Sequence, residues 1–182
     1  MNRKCGLLTV LVFGFAYSCS AEEKAIEKPV ELEVLKAYVG VWDAEIEVWA
    51  QGLDSQSMKF KGLETNRAYG EFWIASDLDT EFDGQIMKVH SIIGYDLDKK
   101  KLVGTVVDHG PYSAKLTGRY DKDSKTVYWK TEAKDFDGKR IVQNTSIVQK
   151  SPDKRVLVLS VPNKQKEGEF TKFMQIIFTK RK

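Results

Sequence analysis

From Val41 onward the chain alternates apolar and polar residues with a period of two. Trp42, Ala44, Ile46 and Val48 interleave with Asp43, Glu45, Glu47 and Trp49. Successive strand side chains point to opposite faces, so this run predicts a strand with one buried and one mostly wet face. Similar runs lie at about Met58–Arg67, Glu71–Thr80, Gln85–Tyr95, Leu102–Asp108, Tyr112–Tyr120, Lys125–Ala133, Arg140–Val148, Arg155–Val161 and Phe170–Thr179. Ten strands are predicted. Turn-forming residues separate them, among them Tyr69-Gly70, Asp83-Gly84, Asp96–Lys99, Gly110-Pro111, Asp121–Ser124 and Ser151-Pro152-Asp153,. No break is long enough for the crossover helix that parallel strands require, so the sheet is expected to be antiparallel and up-and-down. Closing it into a barrel of about ten strands removes both exposed edges.

At the centre of this meander, Ser91–Asp108 places two β-branched runs around Asp96, Asp98 and three lysines, the pattern of a hairpin,. The phrase returns at Tyr120–Lys125, ahead of Thr126-Val127-Tyr128-Trp129. One strand-turn-strand unit is reused. Before the first strand, Val30, Leu32, Val34, Leu35, Tyr38 and Val39 recur at helical spacing and Gly40 follows, which predicts a short helix covering one end of the barrel,.

The amino terminus reads differently. A basic start (Met1–Lys4), an apolar run (Cys5–Ala16) and a small-residue end (Ser18–Ala21) make residues 1–21 a signal peptide,. The apolar run is shorter than the ~20 residues of a spanning helix. Residues 22–29 form a charged leader, and 30–182 one barrel domain,. The protein is therefore expected to be exported, to the periplasm or beyond the cell. Both cysteines, Cys5 and Cys19, precede the cleavage point. Ala16-Tyr17-Ser18-Cys19 also resembles a bacterial lipoprotein box, so lipidation at Cys19 stands beside ordinary cleavage and is the sole route to a membrane. Of 29 basic residues, Arg3 and Lys4 leave with the signal, so 27 face 26 acidic ones at a net +1. That near-neutrality argues against a nucleic-acid partner.

Gly40-Val41-Trp42 resembles the G-x-W signature of lipocalin and fatty-acid-binding barrels. Further phrases, Glu64-Thr65-Asn66-Arg67, Gly70-Glu71-Phe72-Trp73, Gly94-Tyr95-Asp96, Gly104–Asp108, Gly118-Arg119-Tyr120-Asp121 and Phe178-Thr179-Lys180-Arg181, resemble a bacterial family, the domain of unknown function numbered 1579. The resemblance implies a lipocalin-like barrel without an assigned activity. Against the family pattern, Val106 stands where tryptophan is common, Gln175 where glutamate is common, and Lys180 where arginine is common. In such barrels the first-strand tryptophan packs under a basic residue of the last strand, which implies Trp42 against Lys180 or Arg181.

Seven residues are candidates for contact with a small hydrophobic ligand: Glu64, Asn66, Trp73, His90, Tyr112, Trp129 and Gln175. Glu64 and Asn66 share the phase of Met58, Phe60 and Gly62; if it holds they point inward, where a carboxylate needs a partner. A bulge reversing that phase would leave Glu64 in solvent. Trp73, Tyr112 and Trp129, with Phe173 and Phe178, supply aromatic surface for a core or for a pocket. Asp108 beside His109 suggests acid-base chemistry, but neighbours on a strand face opposite ways, and a turn at Gly110-Pro111 is the better role for Asp108. With His90 and His109 the sole histidines and no cysteine in the mature chain, neither haem nor a metal is expected,. The leading expectation is an exported binding protein. The alternatives are an isomerase or hydrolase using Glu64 with Arg67 or a histidine, and a ligand-free envelope interaction module.

Overall fold

Ten antiparallel strands close into one ring in the computed structural model, which describes residues 28–182 except 51, 52, 54, 83, 136 and 164. A helix α1 (Val30–Ala37) precedes β1 (Gly40–Val48), β2 (Met58–Tyr69), β3 (Trp73–Phe82), β4 (Gln85–Asp96), β5 (Lys101–Val107), β6 (Ala114–Asp121), β7 (Thr126–Lys134), β8 (Arg140–Ser151), β9 (Lys154–Pro162) and β10 (Phe170–Lys180). Each strand pairs with its sequence neighbour, and β1 pairs with β10 through Trp42↔Lys180 to Val48↔Met174 to close the ring. The up-and-down barrel expected from the alternation is the observed fold. The proposed signal peptide and most of the leader lie outside the described residues.

The pleat sorts side chains as the period of two demands. Along β1, Trp42, Ala44, Ile46 and Val48 are buried while Asp43 and Glu45 are exposed. The two homologous-looking turns share one geometry. Asp96 Oδ1 accepts the Lys99 amide at 2.9 Å, Asp121 Oδ1 accepts the Ser124 amide at 3.3 Å, and Lys100 and Lys125 both take left-handed φ values, 51° and 50°. These aspartates cap the turns between β4 and β5 and between β6 and β7.

Helix α1 plugs one end. Leu35 and Tyr38 pack with Ile74, Ile93, Leu102, Val127 and Trp129. The helix stops sooner than its sequence suggested: the Tyr38 and Val39 amides donate to the Leu35 and Lys36 carbonyls at 2.9 and 3.1 Å, so the final turn tightens ahead of Gly40,. Gly40, at φ 126°, instead turns the chain from helix into strand, and a Cβ there would lie 2.9 Å from Lys180 Cε. Trp42 Nε1 donates to the Tyr38 carbonyl at 2.7 Å and fastens the plug to β1. Among the described residues no helix covers the far end of the barrel.

Candidate functional site

Between the plug and the far mouth lies a cavity of about 560 Å³. Its walls are chiefly apolar, with Leu78, Ile93, Val106, Leu116, Trp129 and Ile176 among the contributors. The inward phase of each strand builds it. Val106 sits between Ser91 on β4 and Ala114 on β6, three small side chains in a row, and so leaves room where a larger residue would fill the bore.

The floor holds a charged pair. Glu64 on β2 and Arg155 on β9 meet through Oε2 and Nη2, and Asn66 Nδ2 donates to the same Glu64 oxygen at 2.6 Å. The Arg155 side chain is 2% exposed and that of Glu64 12%. Around the guanidinium stand the rings of Trp42, Phe178 and Tyr38, with Cζ 4.2, 4.4 and 4.6 Å from their centroids. Such stacking adds attraction because a ring face carries negative charge density. Lys180 Nζ lies 5.2 Å from the Trp42 ring, as the family resemblance implied, but Arg155 is the closer cation and comes from β9. Arg181 instead binds Asp43 on the outer face at 2.6 Å. Burial pushes Arg155 down to about 10, and burial likewise raises the Tyr38 hydroxyl well above the usual range for tyrosine,. Arg155 Nη1 and the Tyr38 hydroxyl have no hydrogen-bond partner among the described residues.

Neutral polar groups form two patches above the floor. Asn66, Ser76 and Ser91 are cross-strand partners on β2, β3 and β4. On the other side, Thr131 faces Gln143 and Trp129 faces Thr145 across β7 and β8. All of these line the cavity. At the mouth, Tyr112 lies 5.2 Å beneath Lys134 Nζ, and Asp108 Oδ1 accepts the Gly110 amide at 2.7 Å. His109 Nδ1 takes the Lys88 amide at 3.4 Å, so Asp108 serves the turn and does not orient an imidazole. Exposed Ile86, Met87, Val107 and Phe170 lie on the mouth-side ends of their strands.

The structure brings Glu64, Asn66, Tyr112 and Trp129 to the cavity and turns Trp73, His90 and Gln175 away from it. On β3 and β4 the inward residues are Ile74, Ser76, Val89, Ser91 and Ile93, so Trp73 and His90 have the opposite parity. Trp73 covers Gly94 on the outer surface. His90 Nδ1 is 2.7 Å from Asp77 Oδ1, and Arg67 Nη1 donates to Asp77 Oδ2 at 3.1 Å. The His90 hydrogen bond is the main reason Asp77 sits below the usual carboxylate range. On β10, Met174, Ile176 and Phe178 face in, so Gln175 faces out and accepts from Lys172 Nζ at 2.9 Å. The wall of the barrel thus separates Glu64 from Arg67 and His90, and an acid-base pair between them is not assembled. The residue that sequence reasoning missed is Arg155. Its signal was present, since it shares the phase of Leu157 and Leu159.

A family profile described as a protein of unknown function, DUF1579, matches residues 29–180. No curated protein matches the chain in sequence. Among solved structures, Rv2717c from M. tuberculosis superposes with a TM-score of 0.62 at 8% identity, over 86% of this chain and 100% of that one. The S-type phycobiliprotein lyase CPES from Guillardia theta superposes with a TM-score of 0.57 at 13% identity, over 86% and 94%. At these identities the likeness is one of fold.

Proposed function

We propose that this chain, which belongs to the DUF1579 family of proteins of unknown function, is a binding protein that carries a small, mostly apolar molecule inside its barrel. The observation that carries the reading is the cavity of about 560 Å³, bounded by apolar walls and ending on a buried ionic floor. That volume lies within the ~300–1,000 Å³ typical of ligand pockets, and the mixture of apolar walls with a few placed polar groups is what such sites use. A phycobiliprotein lyase among the barrels of similar fold is compatible with small-ligand binding. The signal-like amino terminus supports action outside the cytoplasm, with Cys19 as the anchor if it is lipidated.

Native mass spectrometry on protein purified without denaturant from the organism that makes it tests the reading. A reproducible mass excess lost on unfolding is the expected result, and the amino-terminal mass decides between cleavage after Ala21 and lipidation at Cys19. A chain that leaves the cell empty, and whose tryptophan fluorescence ignores every apolar probe, refutes the carrier. A ligand-free interaction module would then be the better description.

A further inference from the structure

The polar groups of the cavity, taken as a set, carry the choice of ligand further. We propose that the cavity selects uncharged, largely hydrocarbon molecules bearing hydroxyl or carbonyl groups and rejects carboxylates of the same length, with Glu64 setting that preference. The inference rests on the carrier reading.

Three observations lead to it. First, the cation of the floor is already spent on a protein anion: Arg155 lines the cavity beside Glu64, but its Nη2 is held by that carboxylate and its unpartnered Nη1 is buried. A ligand carboxylate would find no open cation there, and it would approach Glu64, whose side chain contributes to the cavity wall. Nearer the mouth, Asp108 and Asp135 stand with a single Lys134, which again gives an anion no net welcome. A charge moved from water into such a space goes uncompensated. Second, Ser76, Ser91, Thr131, Gln143 and Thr145 line the cavity and make no side-chain hydrogen bond to any described residue. Nor are their polar atoms sealed away, in contrast to Tyr38 and Arg155. Hydroxyls and a primary amide both donate and accept, so they match alcohols and carbonyls without needing a charge. Third, the groups occupy facing walls. β3 and β8 are five strands apart in a ring of ten, so Ser76 on one side and Gln143 and Thr145 on the other can grip two edges of one molecule or a polar centre between apolar ends.

Displacement of 1-N-phenylnaphthylamine from the full chain at pH 7.5 tests this, with 1-monodecanoylglycerol, decanoate and decylamine as competitors. The monoglyceride is expected to bind at least about tenfold more tightly than decanoate, the scale set by desolvating an unpaired charge. Glu64→Gln leaves Arg155 as an open cation and is expected to improve decanoate about tenfold relative to the monoglyceride. If that variant does not fold, Thr131→Val with Gln143→Leu serves instead: it should weaken the monoglyceride several-fold and leave decanoate unmoved. Decanoate or decylamine binding as tightly as the monoglyceride in the unaltered protein overturns the inference alone. Failure of the naphthylamine and all three competitors to bind overturns the carrier reading, and this inference with it.

Discussion

Removing one member of the buried pair should cost far more than removing both. In Glu64→Leu the Arg155 guanidinium keeps its three rings but loses its counter-charge in a place where it is 2% exposed. Opposite unit charges in contact are worth about 4–6 kcal/mol at an effective dielectric of about 20. Ring contacts of about 2 kcal/mol persist and soften the loss. Stranding one partner of a buried pair costs about 3–5 kcal/mol, whereas replacing both by apolar groups of similar volume is often neutral. Glu64→Leu is therefore expected to cost about 3–5 kcal/mol. Arg155→Met, which leaves Glu64 with only Asn66, should cost about 2–4 kcal/mol. The double variant should return to within about 2 kcal/mol of the parent. Urea unfolding read by tryptophan fluorescence measures all four proteins. With a slope of about 2 kcal/mol/M, the Glu64→Leu midpoint falls by about 1.5–2.5 M. The cycle isolates the coupling, expected at about 3 kcal/mol or more. A coupling below about 1 kcal/mol, or a double variant no more stable than the worse single one, refutes the buried-pair argument.

Three further outcomes follow from named contacts. Val106→Trp fills the space between Ser91 and Ala114 and should abolish probe binding without lowering the urea midpoint, since the added ring occupies cavity and not packed core. Gly94→Ala puts a Cβ 2.4 Å from the Phe72 carbonyl and the Trp73 ring, so it should cost about 1–3 kcal/mol,. Because that contact is on the outer face, probe affinity should not change. Acid should destabilise the fold. Arg181 holds Asp43 below its ordinary 3.8, as His90 does for Asp77, Lys99 for Asp96 and Ser124 for Asp121. A carboxyl depressed on folding stabilises above its unfolded pKa and loses that contribution as pH falls through the folded value. The urea midpoint should stay level from pH 7 to about 5 and drop below about 4. A midpoint that rises on acidification contradicts these carboxylate contacts.

Period-two patterning was enough to read the barrel because every strand buries one face, and a slip of one residue would expose that whole face. The same parity carries Glu64 and Asn66 inward, with no bulge between Met58 and Asn66 to reverse it. Parity also disposes of three candidates chosen for chemistry or family pattern. Trp73, His90 and Gln175 are one step out of phase with Ile74, Val89 and Ile176, and residue type could not override the pleat. The end of the helix was less legible. A glycine after a helical pattern can be a cap or a strand-entry bend, and here the tight turn at Tyr38 settled the helix before Gly40 was reached.

Arg155 shows how the remaining part of the site could have been found. An arginine in phase with Leu157 and Leu159 is a charge on an apolar face, and such a charge persists only with a counter-charge in the same interior,. Glu64, in phase with Phe60 and Gly62, is the matching anomaly on β2. Phase alone could thus have nominated the two residues as partners, although they lie 91 positions apart. Ring closure brings them within reach: only β1 and β10 separate β2 from β9, and both strands present aromatic side chains, Trp42 and Phe178, at the level of the pair. The pair, the rings and the helix plug therefore form one floor. The polarity that any ligand meets there is set by how completely Glu64 cancels Arg155.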